Sequence, residues 1–132
     1  MELLHLNKES FKKLTSQSEK AVLIDFWATW CGPCRKGMKE MESVKESLKE
    51  KGVDFVYITD TSSDSNEWIK YIGQHEGIHY IVPKDKKQAM QIPEYDNAIP
   101  HYLIYDREGK LVKAFSGWSG VENMMKEIGN VM

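Results

Sequence analysis

The chain of 132 residues holds two cysteines, and they stand two residues apart in Trp30-Cys31-Gly32-Pro33-Cys34. The run Ala21 to Trp27, apolar except for Asp25, leads into them, and a helical pattern leads out. A Cys-x-x-Cys pair between a buried strand and a helix start reads as a redox-active dithiol. The free N–H groups and partial positive charge of a helix N-terminus favour a thiolate over a thiol. Cys31 stands where that field is strongest, and Cys34, one turn on, falls on the inward face. Pro33 suits a first helical turn, where its missing N–H needs no partner. Cys31 is therefore the expected nucleophile, open to solvent, and Cys34 the expected resolving thiol, shielded by the helix face that carries Met38 and Met41.

Two other uses of the pair compete with this one. His75 and His79 formally complete a Cys2His2 zinc set with Cys31 and Cys34, but 40 residues separate Cys34 from His75, against ~12–15 in the zinc-finger pattern. A zinc-binding pair also usually sits on a short knuckle and not at the end of an apolar strand. Inert buried thiols are the other alternative, disfavoured by the helix-start position and the Gly-Pro between them. No metal ligand set is expected.

The segment Leu23-Ile24-Asp25-Phe26-Trp27-Ala28-Thr29-Trp30-Cys31-Gly32-Pro33-Cys34 resembles the active-site strand and loop of the thioredoxin superfamily. Ala98-Ile99-Pro100-His101-Tyr102-Leu103-Ile104-Tyr105-Asp106-Arg107-Glu108-Gly109-Lys110-Leu111-Val112 resembles that family's cis-proline strand and the hairpin after it. The middle, from about Thr61 to Asn97, is longer than in a minimal thioredoxin and is similar to the TlpA-like bacterial branch, with its extra helix and strand. The resemblance implies a single thioredoxin-like domain over residues 1–132, a three-layer α/β/α sandwich around a mixed central sheet with a helix-strand insertion in the middle. It implies a cis Ile99–Pro100 bond against the dithiol, leaving the backbone of Ile99 to pair with an extended substrate. It also places Asp25 beneath the second cysteine, handling its proton. The family's partner lysine, at the end of the next strand, has no counterpart in Tyr57-Ile58-Thr59-Asp60.

The rest of the chain supplies a frame for these residues. Glu2 to Leu6 reads as an edge strand, and Asn7 as the cap of a helix to about Ser18. Residues 21–28 form a strand buried on both faces, with Asp25, Trp27 and Thr29 on one side and Ile24, Phe26 and Ala28 on the other. Met38, Met41, Val44 and Leu48 recur at helical spacing, and Gly52 closes that helix. Val53 to Ile58 is the next strand. Asp64 and Glu67 read as a capping box opening a helix to about His75, with Trp68, Ile69 and Ile72 inward. Ile78 to Val82 reads as a strand, Lys84 to Gln91 as a short basic helix, and Pro93 to Asn97 as loop. His101 to Asp106 and Leu111 to Phe115 form a hairpin, and Ser119 with Glu122 caps a last helix that turns Val121, Met124, Met125 and Ile128 inward.

Net charge is −2 with acids and bases interspersed, which leaves no basic stripe for nucleic acid. No run approaches the ~18 apolar residues of a membrane span. The first residues lack the basic start and apolar stretch of a secretory signal. Read literally, that points to cytoplasm, whereas the TlpA-like resemblance points to the periplasm or cell envelope.

The leading functional expectation is a thiol–disulfide oxidoreductase that reduces protein or small-molecule disulfides as a monomer. It needs no cofactor and takes electrons from an upstream dithiol or reductase. Exposed Trp30 with Gly32, Pro33, Ile99 and Pro100 would form its docking surface, Trp27 belongs to the core, and His101 draws interest because it follows the proline. A thiol peroxidase is disfavoured because Ala28, not threonine, stands three residues before Cys31. A non-catalytic binding module is disfavoured by the intact dithiol and Asp25. Neither Gly32-Pro33 nor Ile99 offers the polar or charged side chains that over-stabilise a thiolate, so the pair is expected to be reducing.

Overall fold

The computed structural model describes residues 19–83 and 98–132. The edge strand and helix expected before Ser18, the basic helix after Lys84 and the loop after Pro93 lie outside these residues. Among the described residues, eight elements follow in order: β1 (Ala21–Phe26), α1 (Gly32–Glu50), β2 (Val53–Asp60), α2 (Ser65–Gln74), β3 (Ile78–Val82), β4 (His101–Tyr105), β5 (Leu111–Ser116) and α3 (Val121–Gly129). The sheet order is β3-β2-β1-β4-β5. β1, β2 and β3 run parallel, and β4 and β5 antiparallel, so the sheet is mixed as expected. The chain has a thioredoxin-like α/β fold, and α2 with β3 is the helix and strand inserted in its middle.

β1 is central, and all six of its residues are buried. Its alternation sorts the core into two clusters. Leu23 and Trp27 join Met38, Met41 and Leu48 of α1, Trp68 of α2 and Met124 and Ile128 of α3 on one face. Val22, Ile24 and Phe26 join Val56, Ile58, Val82 and Leu103 on the other. Ala28, expected with Ile24, lies with Trp27 because the strand has ended at Phe26 and alternation no longer applies. None of the described helices is long and apolar enough to cross a membrane.

Three further expectations shift. Ile69 is 52% exposed; the inward stripe of α2 runs through Trp68, Tyr71 and Ile72, with Tyr71 set edge-on to Trp27 at 5.4 Å. Ser119 does not cap α3. Gly120, at φ 105°, is the N-cap and has no side chain to bond with, while Ser119 Oγ accepts from Asn123 Nδ2 at 2.7 Å. In α1, Lys45 and not Val44 is the fully buried member of the inward row. Other signals hold: Asp64 accepts from Glu67 N at 3.0 Å, and Gly52 takes the left-handed φ of 90° that ends α1. The Arg107 guanidinium donates to the Lys51 carbonyl at 2.7 Å, a cation placed against the negative end of α1.

Candidate active site

After β1 the chain turns, with Cys31 N donating to the Ala28 carbonyl at 3.1 Å. Cys31 then becomes the N-cap of α1: its backbone is extended and its Sγ accepts from Cys34 N at 3.3 Å. A sulfur thus occupies the place where serine or aspartate oxygen normally meets the first free amides of a helix. Pro33 lies in the first turn, which holds no acidic residue. Cys31 and Cys34 are joined by a disulfide, their Cα atoms 5.3 Å apart. Cys34 is wholly buried and Cys31 is 6% exposed. The difference has the expected sign, but the expectation of an open Cys31 is corrected: its sulfur is tucked under the helix end as cap and disulfide partner. What faces solvent around it is Gly32, Pro33 and Trp30, the last 62% exposed.

The loop carrying Trp30 is tied to the β2–α2 turn by residues that no sequence motif singled out. Ser63 Oγ accepts from Thr29 N at 3.0 Å and shares a buried hydrogen bond of 2.6 Å with Thr59 Oγ1. Trp30 Nε1 donates to Ser62 Oγ at 3.0 Å, and Ser62 is itself anchored by Asp60 Oδ1 through both its N–H and its hydroxyl. Asp64, the cap of α2, donates its N–H to Thr29 Oγ1 at 3.3 Å. The polar run Asp60-Thr61-Ser62-Ser63-Asp64 suits a turn, but its partner across the fold was not legible in the sequence. Ser63→Ala leaves a part-buried N–H and a buried hydroxyl unpaired, so we expect a loss of ~1–3 kcal/mol, read as a lower urea midpoint. An unchanged midpoint would show that the loop is held by other contacts.

Asp25 lies in the sheet directly between two tyrosines, with Tyr57 of β2 on one side and Tyr102 of β4 on the other. The three share a cavity of about 10 Å³ with Gly37 and Met38, the residues one helical turn beyond Cys34 on the same face of α1. That volume is the size of one water. Asp25 is 5% exposed, and neither its Oδ1 nor the Tyr102 hydroxyl has a hydrogen-bond partner among the described residues. Burial pushes the Asp25 carboxyl up to about 8, with Lys45 drawing it partly back. Burial and the neighbouring Asp25 also raise both tyrosines.

A buried cation stands nearby on α1. Lys45 Nζ pairs with Glu42 Oε2 at 2.8 Å, donates to the Glu76 carbonyl at 2.7 Å and stands 4.9 Å from the centre of the Tyr57 ring. The missed signal was its spacing, since Cys34, Met38, Met41, Lys45 and Leu48 form a continuous inward row.

The Ile99–Pro100 bond is cis, as the resemblance implies. β4 runs antiparallel to β1 with His101 opposite Phe26, so Pro100 enters the sheet at the end of β1 that leads to Cys31. Ile99, half-buried, packs against both clusters. His101 does not belong to the site: it opposes Phe26, on the face away from Asp25 and Tyr102. The zinc alternative finds its two histidines at the α2–β3 corner. His75 Nδ1 is 2.9 Å from Glu42 Oε2, and His79 Nε2 is 2.6 Å from the His75 carbonyl.

The chain is similar to known proteins over much of its length. The chain is 31% identical over 98 residues to the thiol-disulfide oxidoreductase ResA of Bacillus thuringiensis, matching 74% of this chain and 56% of that protein. It is 43% identical over 65 residues to a thioredoxin of Coprinus comatus, matching 48% of this chain and 60% of that one. The chain thus spans little more than half the length of these relatives. Among solved structures, a thiol:disulfide interchange protein of the thioredoxin family from Chlorobium tepidum superposes with a TM-score of 0.71 at 22% identity, over 88% of this chain and 82% of that one. The Redoxin family profile matches residues 3–131, and the chain belongs to that family.

Proposed function

We propose that this chain is the catalytic domain of a thiol–disulfide oxidoreductase that reduces protein disulfides. The observation that carries the reading is the Cys31–Cys34 disulfide capping α1, whose next turn, Gly37 and Met38, lines the same cavity as the buried Asp25 carboxyl. In the reduced state the cap position favours Cys31 as thiolate, because the free amides of α1 that now meet Sγ would meet a negative charge. That thiolate attacks a substrate disulfide, one substrate thiolate leaves, and a mixed disulfide remains. Cys34 then loses its proton and attacks Cys31 Sγ, which restores the internal disulfide and releases the second substrate thiol. Asp25 takes the Cys34 proton; a carboxyl near 8 is matched to that task at neutral pH. Trp30, Gly32 and Pro33 form the exposed rim against which a substrate segment lies, with Ile99 and Pro100 as the opposite wall. Electrons return from an upstream dithiol or reductase.

Neither Gly32-Pro33 nor Ile99 adds a side-chain donor to a Cys31 thiolate. We therefore expect a potential nearer about −270 mV than −120 mV, the ends of the range for dithiol proteins. Equilibration in glutathione buffers measures it, and a pair readily reduced by mostly reduced glutathione would contradict the assigned direction. Insulin reduction with dithiothreitol tests the activity itself; no acceleration over dithiothreitol alone would end the reductase reading.

A further inference from the structure

One lysine stands in a row of α1 that is otherwise core. Lys45 is 4% exposed, and its ammonium is held on every side that the fold offers. Glu42 Oε2 lies 2.8 Å away, the Glu76 carbonyl 2.7 Å, and the ring centres of Tyr57 and Phe55 4.9 and 5.2 Å. Glu42 is gripped in turn by His75, the C-cap residue of α2, at 2.9 Å. Tyr57 is the cross-strand neighbour of Asp25, and both line the same small cavity. Ammonium, aromatic face and carboxyl are therefore arranged in sequence from α1 across β2 to β1.

We propose that Lys45, fixed by Glu42 and the α2–β3 corner, is a positioning residue of the dithiol site, the cation whose field across the Tyr57 ring sets the proton affinity of Asp25. The purpose of that setting rests on the reductase reading above. A cation over an aromatic face is attracted to the ring, and between buried partners a charge is screened far less than at the surface. Burial drives the Asp25 carboxyl upward and Lys45 opposes it. His79 of β3 also faces this group, stacked on the Tyr57 ring at 4.7 Å, and burial lowers its proton affinity below that of an ordinary imidazole. Tyr57 from β2 and Tyr102 from β4 are pushed upward and stay neutral through the working range. Lys49 of α1 is turned outward and paired with the Glu76 carboxylate. Glu42 is thus the direct counterweight to Lys45, and His75 holds that counterweight in place.

The arrangement makes two variants move Asp25 in opposite directions. Lys45→Met removes the cation at nearly constant side-chain length and raises the Asp25 titration by about one pH unit, the low end for a neighbouring opposite charge. Glu42→Gln frees Lys45 of its counterweight and lowers the titration by about half a unit. Lys45→Arg keeps the charge and stays near the wild type. The readout is the carboxyl carbon shift of Asp25 followed by NMR across pH in the oxidised protein, where neither cysteine titrates. Shifts of one sign in both variants, or no shift in Lys45→Met, overturn the proposal. Should Lys45→Met not fold, Glu42→Gln decides alone: a lowered titration supports the proposal and an unmoved one overturns it. Insulin reduction by the wild type is read separately, so failure of the reductase reading is distinguishable from an unmoved Asp25.

Discussion

Cys34→Ser accumulates as covalent adducts with its disulfide substrates, whereas Cys31→Ser forms none and loses insulin reduction by about a thousandfold or more, the scale for removing an enzyme's nucleophile. The asymmetry follows from where the sulfurs lie. Cys31 Sγ meets the helix amides beside the exposed Trp30, Gly32 and Pro33, while Cys34 is fully enclosed. A substrate disulfide reaches Cys31 first. A serine at position 34 cannot displace the mixed disulfide, because a hydroxyl is neither ionised nor able to form a sulfur bond. Mass spectrometry of adducts from a lysate, with and without reductant, reads the result. Equal adduct yields from the two variants would contradict the assigned division of labour.

Asp25→Asn is more stable than the wild type at neutral pH and reduces disulfides about a hundredfold more slowly, the lower end for loss of a general acid–base group. The stability difference has a pH signature. The folded carboxyl holds its proton up to about 8, whereas an unfolded one releases it near 3.8. Below about pH 4 both states are protonated, and Asp25 does not distinguish them. Between about pH 4 and 8 the unfolded state alone is ionised, so wild-type stability falls by up to ~1.4 kcal/mol per pH unit. Above about 8 both are ionised and the loss levels off. The variant escapes this slope, and its advantage reaches on the order of 4 kcal/mol by neutral pH. Urea midpoints at pH 4, 6 and 8 decide it: parallel curves would show that Asp25 is paired in the fold. In activity, the wild-type rate rises toward pH 8 as Asp25 becomes able to accept a proton, and the variant lacks that limb.

The parts of the site carried by local pattern were legible in the sequence. The dithiol at a helix start, the buried acid on the Trp27 face of β1 and the proline at the head of β4 each follow from spacing or from a long motif. What escaped was pairing across the fold. Lys45 sits in a polar-looking stretch, Glu42-Ser43-Val44-Lys45-Glu46, and helical spacing alone does not say that its ammonium will find Glu42, the Glu76 carbonyl and two aromatic rings. The same holds for Ser62 and Ser63, whose hydroxyls act on a loop more than thirty residues earlier, and for Thr59, which braces Ser63. Ser119 failed for a local reason: Gly120 can take a φ of 105° and start α3 one residue later, so the serine never reaches the helix amides. On α2, Trp68 and Ile72 face inward as expected, but Ile69 lies outside and Tyr71 completes the stripe.

The central place of β1 also bears on how the site comes into being as the chain folds. β1 meets β2 across about 30 residues of sequence but meets β4 across about 80, and closing the longer loop costs ~1 kcal/mol more in chain entropy. β1, α1 and β2 therefore make a nearly local unit, and that unit already holds both cysteines, Asp25 and Lys45. Pro100 and Tyr102 arrive only when the hairpin docks. A nascent chain caught between these events has its two sulfurs within bonding reach while the wall that selects a substrate is still missing.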